Sequence, residues 1–256
     1  MGVHHVFLFL AALAAGVINA LAGAGTLFTF PALLAAGVPP VAANATSTVA
    51  LVPGSLTAGW GYRSEVGTYS GRVLLFLLVP SLAGGLVGAW LVTVAGDALF
   101  RKLVPALILG ATLLFIVQEP LRRWRGLRTR KAEARGLHAV NLWGLAAGQF
   151  LVAVYGGFFG AGVGILMLAE LGLVGLTRIH QMNGLKNFGA ACINGVAAAY
   201  FALDGHVVWN LAALMAIGAV LGGYAGAWLA QRVGERMVRA VVIATGLGIG
   251  IWMLVR

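Results

Sequence analysis

Long apolar runs separated by short clusters of charge organise this chain from end to end. No Lys, Arg, Asp or Glu precedes Arg63, and further uncharged stretches cover 73–96, 103–118, 136–169, 187–203, 205–231 and 240–255. A helix crossing ~30 Å of hydrocarbon needs roughly 20 apolar residues. Segments 44–62, 72–94, 98–118, 181–203, 206–230 and 236–255 meet that length and are predicted as transmembrane helices. Segments 6–38 and 139–173 are too long for one pass, since each would extend about 50 Å as a straight helix. Neither comfortably holds two full spans and a turn. Both carry a glycine-rich interruption, Gly23-Ala24-Gly25-Thr26 and Gly160-Ala161-Gly162-Val163-Gly164. The economical expectation is a broken helix or hairpin bent at the glycines inside the membrane, with a full double span left open.

The two halves are copies. Gly84-Gly85-Leu86-Val87-Gly88-Ala89-Trp90-Leu91 recurs as Gly222-Gly223-Tyr224-Ala225-Gly226-Ala227-Trp228-Leu229 at a shift of 138. Gly23-Ala24-Gly25 recurs as Gly160-Ala161-Gly162 at a shift of 137. Six identities in an eight-residue window, in a register shared by other motifs, mark an internal repeat. The GxxxG pairs Gly84/Gly88 and Gly222/Gly226 are read as helix-packing sites, within the monomer or between subunits.

Composition sharpens this reading. The 256 residues are 61% hydrophobic and 9% charged, against about 25% charged in ordinary soluble domains. That excludes a soluble fold, a disordered chain and a disulfide scaffold; the single Cys192 cannot form an internal bridge. The net charge of +10 tempts a nucleic-acid reading. Seven of the basic residues, however, are crowded into one connector: Arg122, Arg123, Arg125, Arg128, Arg130, Lys131 and Arg135. The positive-inside bias puts such a connector in the cytoplasm, and no nucleic-acid partner is expected.

Orientation follows from the same charges. If each long segment returns to its starting side, thirteen Lys and Arg lie inside and three outside; if each crosses once, the tally is ten and six. The first arrangement fits better. It gives each half an odd number of passes, inverts the repeats and leaves both chain ends outside. The expected fold is therefore an all-α polytopic membrane protein with two inverted repeats, each a broken helix or hairpin plus three transmembrane helices. Residues 1–256 form a single membrane domain, with an N-terminal repeat at 1–121, a basic cytoplasmic loop at 122–135 and a C-terminal repeat at 136–256. Ala20-Leu21-Ala22 resembles a signal-peptide cleavage site, but no basic n-region precedes it, so cleavage is not expected.

A helix broken inside hydrocarbon survives only where protein or a water-filled cavity satisfies its backbone. The second piece offers N–H groups and a positive dipole end to an anion. Glycines at Gly23, Gly25, Gly160 and Gly162 permit φ > 0 and close approach to a ligand, and Thr26 is positioned to cap a helix. Equivalent interruptions in two inverted repeats point to one midplane site between them. A polar cluster follows each: Asn44, Thr46, Ser47 and Thr48, then Asn183, Lys186 and Asn187. The i, i+3, i+4 spacing within each set places Asn44, Ser47 and Thr48 on one face, and Asn183, Lys186 and Asn187 on another. Amides and hydroxyls can replace an oxyanion's hydration shell. Lys186, with no acid three or four residues away, supplies charge at membrane depth. The competing explanations are interhelical hydrogen bonding for Asn and Thr, and snorkelling for the lysine. Glu170 and Arg178 are read as pairing with each other or capping helix ends near the inner face. No sodium cage or buried acidic proton carrier stands out.

The residues also carry a family resemblance. Gly16-Val17-Ile18-Asn19-Ala20-Leu21-Ala22-Gly23-Ala24-Gly25, Phe30-Pro31-Ala32-Leu33-Leu34 and Pro39-Pro40-Val41-Ala42-Ala43-Asn44-Ala45-Thr46 resemble the TauE/SafE sulfite exporter family. Asn183-Gly184-Leu185-Lys186-Asn187, Ile193-Asn194-Gly195 and Gly222-Gly223-Tyr224-Ala225-Gly226 are similar to its C-terminal repeat. The resemblance spans essentially the whole chain. Ala24 and Ala161 stand where the family commonly has Gly, which loosens a claim of backbone contact there. It implies a bacterial inner-membrane permease for anions, especially sulfur-containing ones such as sulfite or sulfonates.

The combined expectation is a secondary transporter of a small sulfur-containing oxyanion, working by alternating access. Its partners would be the anion, the lipid bilayer and a coupling ion, proton or sodium, with a homo-oligomer open. No cofactor or metal is expected. A passive anion channel or a membrane scaffold subunit is the alternative. An enzyme is disfavoured, because no HExxH motif occurs and Cys192 has no evident His partner.

Overall fold

In the computed structural model the described residues are 3–22, 24–61, 67, 69–133, 142–174, 176, 179–229, 240 and 243–251. Among them every regular element is helical. The first half runs α1 (Val3–Ala22), α2 (Thr26–Ala35), α3 (Pro40–Gly61) and α4 (Gly71–Glu133). The second runs α5 (Leu142–Phe158), α6 (Val163–Leu173), α7 (Ile179–Leu203) and α8 (Trp209–Leu229), followed by helical residues 243–251. α4 is two arms, 71–95 and 97–133, broken at Gly96 with φ 66° and ψ 172°.

The helices of the two halves correspond in order and length, so the sequence repeat is a structural repeat. α1 and α5, α2 and α6, α3 and α7, and the first arm of α4 and α8 all match at shifts near 138.

Both long segments are hairpins. A Cβ placed on Gly25 would lie 3.0 Å from the Ala15 carbonyl oxygen, although a straight helix would hold the two residues about 15 Å apart. In the second half a Cβ on Gly148 would lie 2.9 Å from Glu170 Cγ, across the turn. α2 and α6, at 10 and 11 residues, reach only about half of a bilayer core. α2 ends where Gly37 turns to φ 82°, and Pro40 begins α3 with the Val41 N–H donating to Asp97 Oδ1 at 2.8 Å.

The packing between halves is reciprocal: α1 lies on α8, and α5 on the first arm of α4. Small residues make the contact. A Cβ on Gly222 would fall on the Leu13 carbonyl, and one on Gly84 would come 2.6 Å from the Phe150 carbonyl. Gly84, Gly88 and Gly222 thus join helices within one chain, as helices packing in lipid require. Phe30 of α2, Phe100 of α4 and Phe159 of the second hairpin stack edge to face at the centre, with ring centroids 5.4–6.3 Å apart.

The outer surface is apolar. Leu75, Val79, Leu82, Leu86, Trp90 and Val94 form an exposed stripe along the first arm of α4, while Val73, Leu77, Ala89 and Val92 face inward. The described residues contain one helix that passes length and composition tests for spanning, Gly71–Leu113, whose 43 residues are the first arm and the start of the second, joined at Gly96. Shorter apolar helices surround it, α5 and α6 included.

The basic connector departs from expectation. The second arm of α4 continues as helix through Glu133, across most of 122–135. Leu, Arg, Lys, Ala and Glu are strong helix formers and dominate that stretch. Its side chains, with Arg63, Arg178, Arg232, Arg236, Arg239 and Arg256, lie outside the described part.

Candidate anion site

Both hairpin tips and the middle turns of α3 and α7 converge on one cavity of about 50 Å³, room for a few waters. It is lined by Asn19, Thr26, Thr48, Leu51 and Ser55 from the first repeat, and by Gly160, Val163, Gly164, Lys186, Asn187, Ala190 and Asn194 from the second. The lining obeys the repeat. Thr48, Leu51 and Ser55 of α3 correspond to Asn187, Ala190 and Asn194 of α7 at a common shift of 139. Equivalent faces of two equivalent helices therefore meet across the cavity, with the two tips closing it. Thr48 and Ser55 lie roughly 12 and 22 Å from the start of α3, so the lining occupies the middle of a helix about 33 Å long.

The tips are built differently. At the second, Gly160 and Gly162 have φ of 76° and 73°, conformations that side-chain-bearing residues rarely adopt. Gly162 is the N-cap of α6. The N–H groups of Val163 and Ile165 are taken by Gly160 and Gly162 carbonyls at 3.3 and 2.9 Å. Tyr155 donates its hydroxyl to the Ala161 carbonyl at 2.7 Å and braces the turn. At the first tip Gly25 is right-handed (φ −58°), and glycine is required there by the approach to Ala15 and Asn19. Gly25 N–H reaches Asn19 Oδ1 at a long 3.5 Å. The cap of α2 is Gly25, not Thr26, which is the first helical residue and turns its side chain to the cavity. Each tip therefore offers mainly a dipole end, because much of its N–H set is already used.

Of the residues singled out in the sequence, Thr26, Thr48, Gly160, Lys186 and Asn187 line the cavity. Gly162 shapes it from behind. Asn44, Thr46 and Ser47 are fully buried and bonded elsewhere. Asn44 Nδ2 donates to the Phe158 carbonyl at 3.1 Å, Thr46 Oγ1 accepts from Val208 N–H at 3.0 Å, and Ser47 pairs with Thr29. These three tie α3 to its neighbours. Gly23 and the side chain of Asn183 lie outside the described residues. Asn19, Ser55 and Asn194 were missed; the last two were legible as the repeat mates of one another one turn or more beyond the polar clusters.

Lys186 is half-buried and makes no ion pair among the described residues. Its stem runs over Gly164, where a Cβ would come 3.2 Å from Lys186 Cδ. A bare glycine on α6 thus leaves the passage through which α7 delivers an ammonium to the cavity. A cation ringed by Asn and Thr side chains, beside the positive ends of two half-helices, favours a small anion.

The sulfite exporter TauE/SafE family profile matches residues 8–253. The chain belongs to that family. Three relatives are named as probable membrane transporter proteins. One from Haemophilus influenzae is 33% identical, covering 92% of this chain and 89% of its own. ORF9 of a Sinorhizobium species is 28% identical, covering 97% and 91%. YfcA of Escherichia coli K12 is 30% identical, covering 92% and 84%. No solved structure matches. Membership and these relatives point to a membrane-embedded transporter, and the exposed apolar stripe on α4 is the kind of surface such a protein offers to lipid.

Proposed function

We propose that the protein is a secondary transporter of a small sulfur-containing oxyanion, of the sulfite or sulfonate class. The observation that carries this is the placement of Lys186, without an acidic partner among the described residues, in a cavity lined by equivalent faces of both repeats. Thr26 and the amides of Asn19, Asn187 and Asn194 surround the anion with donors, and Lys186 supplies charge; Thr48 and Ser55 line the cavity with hydroxyls that donate to the Asn44 and Leu51 carbonyls at 2.9 and 3.1 Å. A compact oxyanion accepts several short hydrogen bonds at once, which suits such a ring of neutral donors around one cation.

The architecture supports alternating access. Each hairpin pairs a longer arm with a half-length one, both tips meet the cavity, and rocking one repeat against the other would open either side. The charge distribution supports inverted repeats in a bacterial inner membrane, with the basic connector cytoplasmic and both chain ends outside. Single cysteines at the two ends and in the connector, labelled from either side, test that topology; a cytoplasmic N-terminus overturns it.

The function is tested with the purified chain in proteoliposomes. Counterflow of sulfite, with thiosulfate, sulfoacetate, sulfate and a simple carboxylate as competitors, is expected to saturate and to favour the sulfur anions. Non-saturable flux without counterflow would make the protein a channel. No flux for any of the anions would remove the transporter reading.

A further inference from the structure

A second buried polar group lies on the far side of α6 from the lysine. Glu170 is 7% exposed, and neither of its carboxylate oxygens has a hydrogen-bond partner among the described residues. The backbone amide of Gln149 is near enough to favour the carboxylate electrostatically, without reaching hydrogen-bond geometry. α5 is notched to receive the side chain: a Cβ on Gly148 would come 3.1 Å from Glu170 Oε1. The next residue, Gln149, is fully buried. Its Nε2 donates to Ser81 Oγ at 2.8 Å, and Ser81 donates onward to the Leu77 carbonyl at 2.6 Å. Gln149 Oε1 is left with no donor among the described residues. Gly189 of α7 closes the network, since a Cβ there would stand 3.3 Å from Gln149 Nε2.

Two buried acceptor groups without donors among the described residues therefore belong to one contact of α5 with α6, Glu170 against Gly148 and Gln149 next to it in the chain. An ionised carboxylate so placed loses its hydration and gains little in return. A proton on Glu170 changes the balance, because it cancels the charge and turns one of these acceptors into an O–H donor. A metal cation fits less well: two carboxylate oxygens and one amide oxygen are few ligands, and the Glu170 side chain itself fills the notch.

We propose that Glu170, held by Gln149 as a positioning residue, is the proton-carrying group that couples anion transport to a pH gradient. Glu170 and Gly164 are six residues apart on α6, about 9 Å. Movement of this one hairpin therefore shifts the proton site and the support of Lys186 together. The remaining titratable groups on the surrounding elements are few. α5 brings Tyr155, whose hydroxyl is committed to Ala161. α7 brings Lys186, on Gly164, and the half-buried Cys192. The first arm of α4 brings Arg72, at its exposed start, and the non-ionising hydroxyl of Ser81. The side chains of Arg178 and His180, in the link from α6 to α7, lie outside the described residues.

The coupling rests on the transporter reading, and the experiment separates the two. The full chain is reconstituted with sulfoacetate, whose charge is constant near neutral pH, and a proton-sensing dye is trapped inside. Wild-type protein is expected to exchange sulfoacetate at equal pH, to accumulate it under an imposed pH gradient, and to move protons with it. Glu170→Gln is expected to retain the exchange and lose both the accumulation and the dye signal, and Glu170→Asp to restore accumulation. Where Glu170→Gln does not fold, Gln149→Leu serves instead and is expected to shift the pH of half-maximal accumulation. Undiminished accumulation in Glu170→Gln, or an unshifted profile in Gln149→Leu, overturns the proposal. Exchange in the wild type that ignores pH removes the coupling alone. No exchange at all removes the transporter reading and the coupling with it.

Discussion

Gly164 of α6 carries the stem of Lys186 on α7: a methyl group at position 164 would stand 3.2 Å from Lys186 Cδ and 3.9 Å from Cε. The charge is therefore aimed by a helix other than its own. Gly164→Ala forces the stem to yield by a few tenths of an ångström, and Gly164→Val forces it further. Anion affinity is expected to fall about threefold to tenfold for alanine, roughly 1 kcal/mol, and more for valine. Thermal stabilisation by increasing sulfite measures it. Gly223→Ala, where nothing lies within 4 Å, serves as the control. Equal affinity in the valine variant would show that Lys186 does not need this support.

Lys186 itself is expected to contribute a charge-assisted hydrogen bond, about 1.5–3 kcal/mol. Lys186→Gln should accordingly weaken anion binding by about ten- to a hundredfold. Lys186→Arg keeps the charge on a bulkier, planar head and should recover part of the loss. Saturation of counterflow is the measurement. A glutamine variant with unchanged half-saturation would remove the lysine from the site.

Much of this organisation was legible because it repeats. The over-long apolar segments and their glycines announced the hairpins, and the shared register announced that two tips face one site. Lys186 stood out because charge at that depth is costly wherever it occurs. The polar clusters were harder, because a helix-face argument cannot tell which face meets the cavity. Thr48 and Asn187 turn inward, while Asn44 and Ser47, on the same turns, bond to neighbouring helices. Ser55 and Asn194 are easily passed over because each lies seven residues beyond the polar cluster of its helix. Glu170 read as an interfacial acid because the sequence shows only its distance from Arg178. The notch at Gly148 that buries it is a tertiary contact 22 positions away.

Asn44 illustrates the distinction and can be tested. Its Nδ2 donates to the Phe158 carbonyl at 3.1 Å, joining α3 to the last residue of α5, beside the tip of the second hairpin. Removing that donor leaves a buried carbonyl to be satisfied otherwise, at a cost of about 1–3 kcal/mol. Asn44→Leu is expected to lower the melting temperature of the purified protein, with the apparent sulfite affinity of the folded fraction changing less than in Lys186→Gln. The opposite ranking would return Asn44 to the anion site.

The contacts between repeats make a final, paired prediction. A Cβ on Gly222 would fall on the Leu13 carbonyl, and one on its repeat mate Gly84 would come 2.6 Å from the Phe150 carbonyl and 2.7 Å from Ala153 Cβ. Backbone cannot yield as a side-chain tip can, so an added methyl must separate α1 from α8, or α4 from α5. Such overpacking costs about 1–3 kcal/mol. Gly222→Ala and Gly84→Ala are each expected to destabilise the protein by that order. Gly248→Ala, with open space around it, should not, and gains helix propensity in exchange. Because the two interfaces share no residues, the double variant Gly84→Ala/Gly222→Ala should show losses that add. Thermal unfolding of the four proteins in one detergent decides the matter. A harmless alanine at both positions would mean that the helices do not approach this closely.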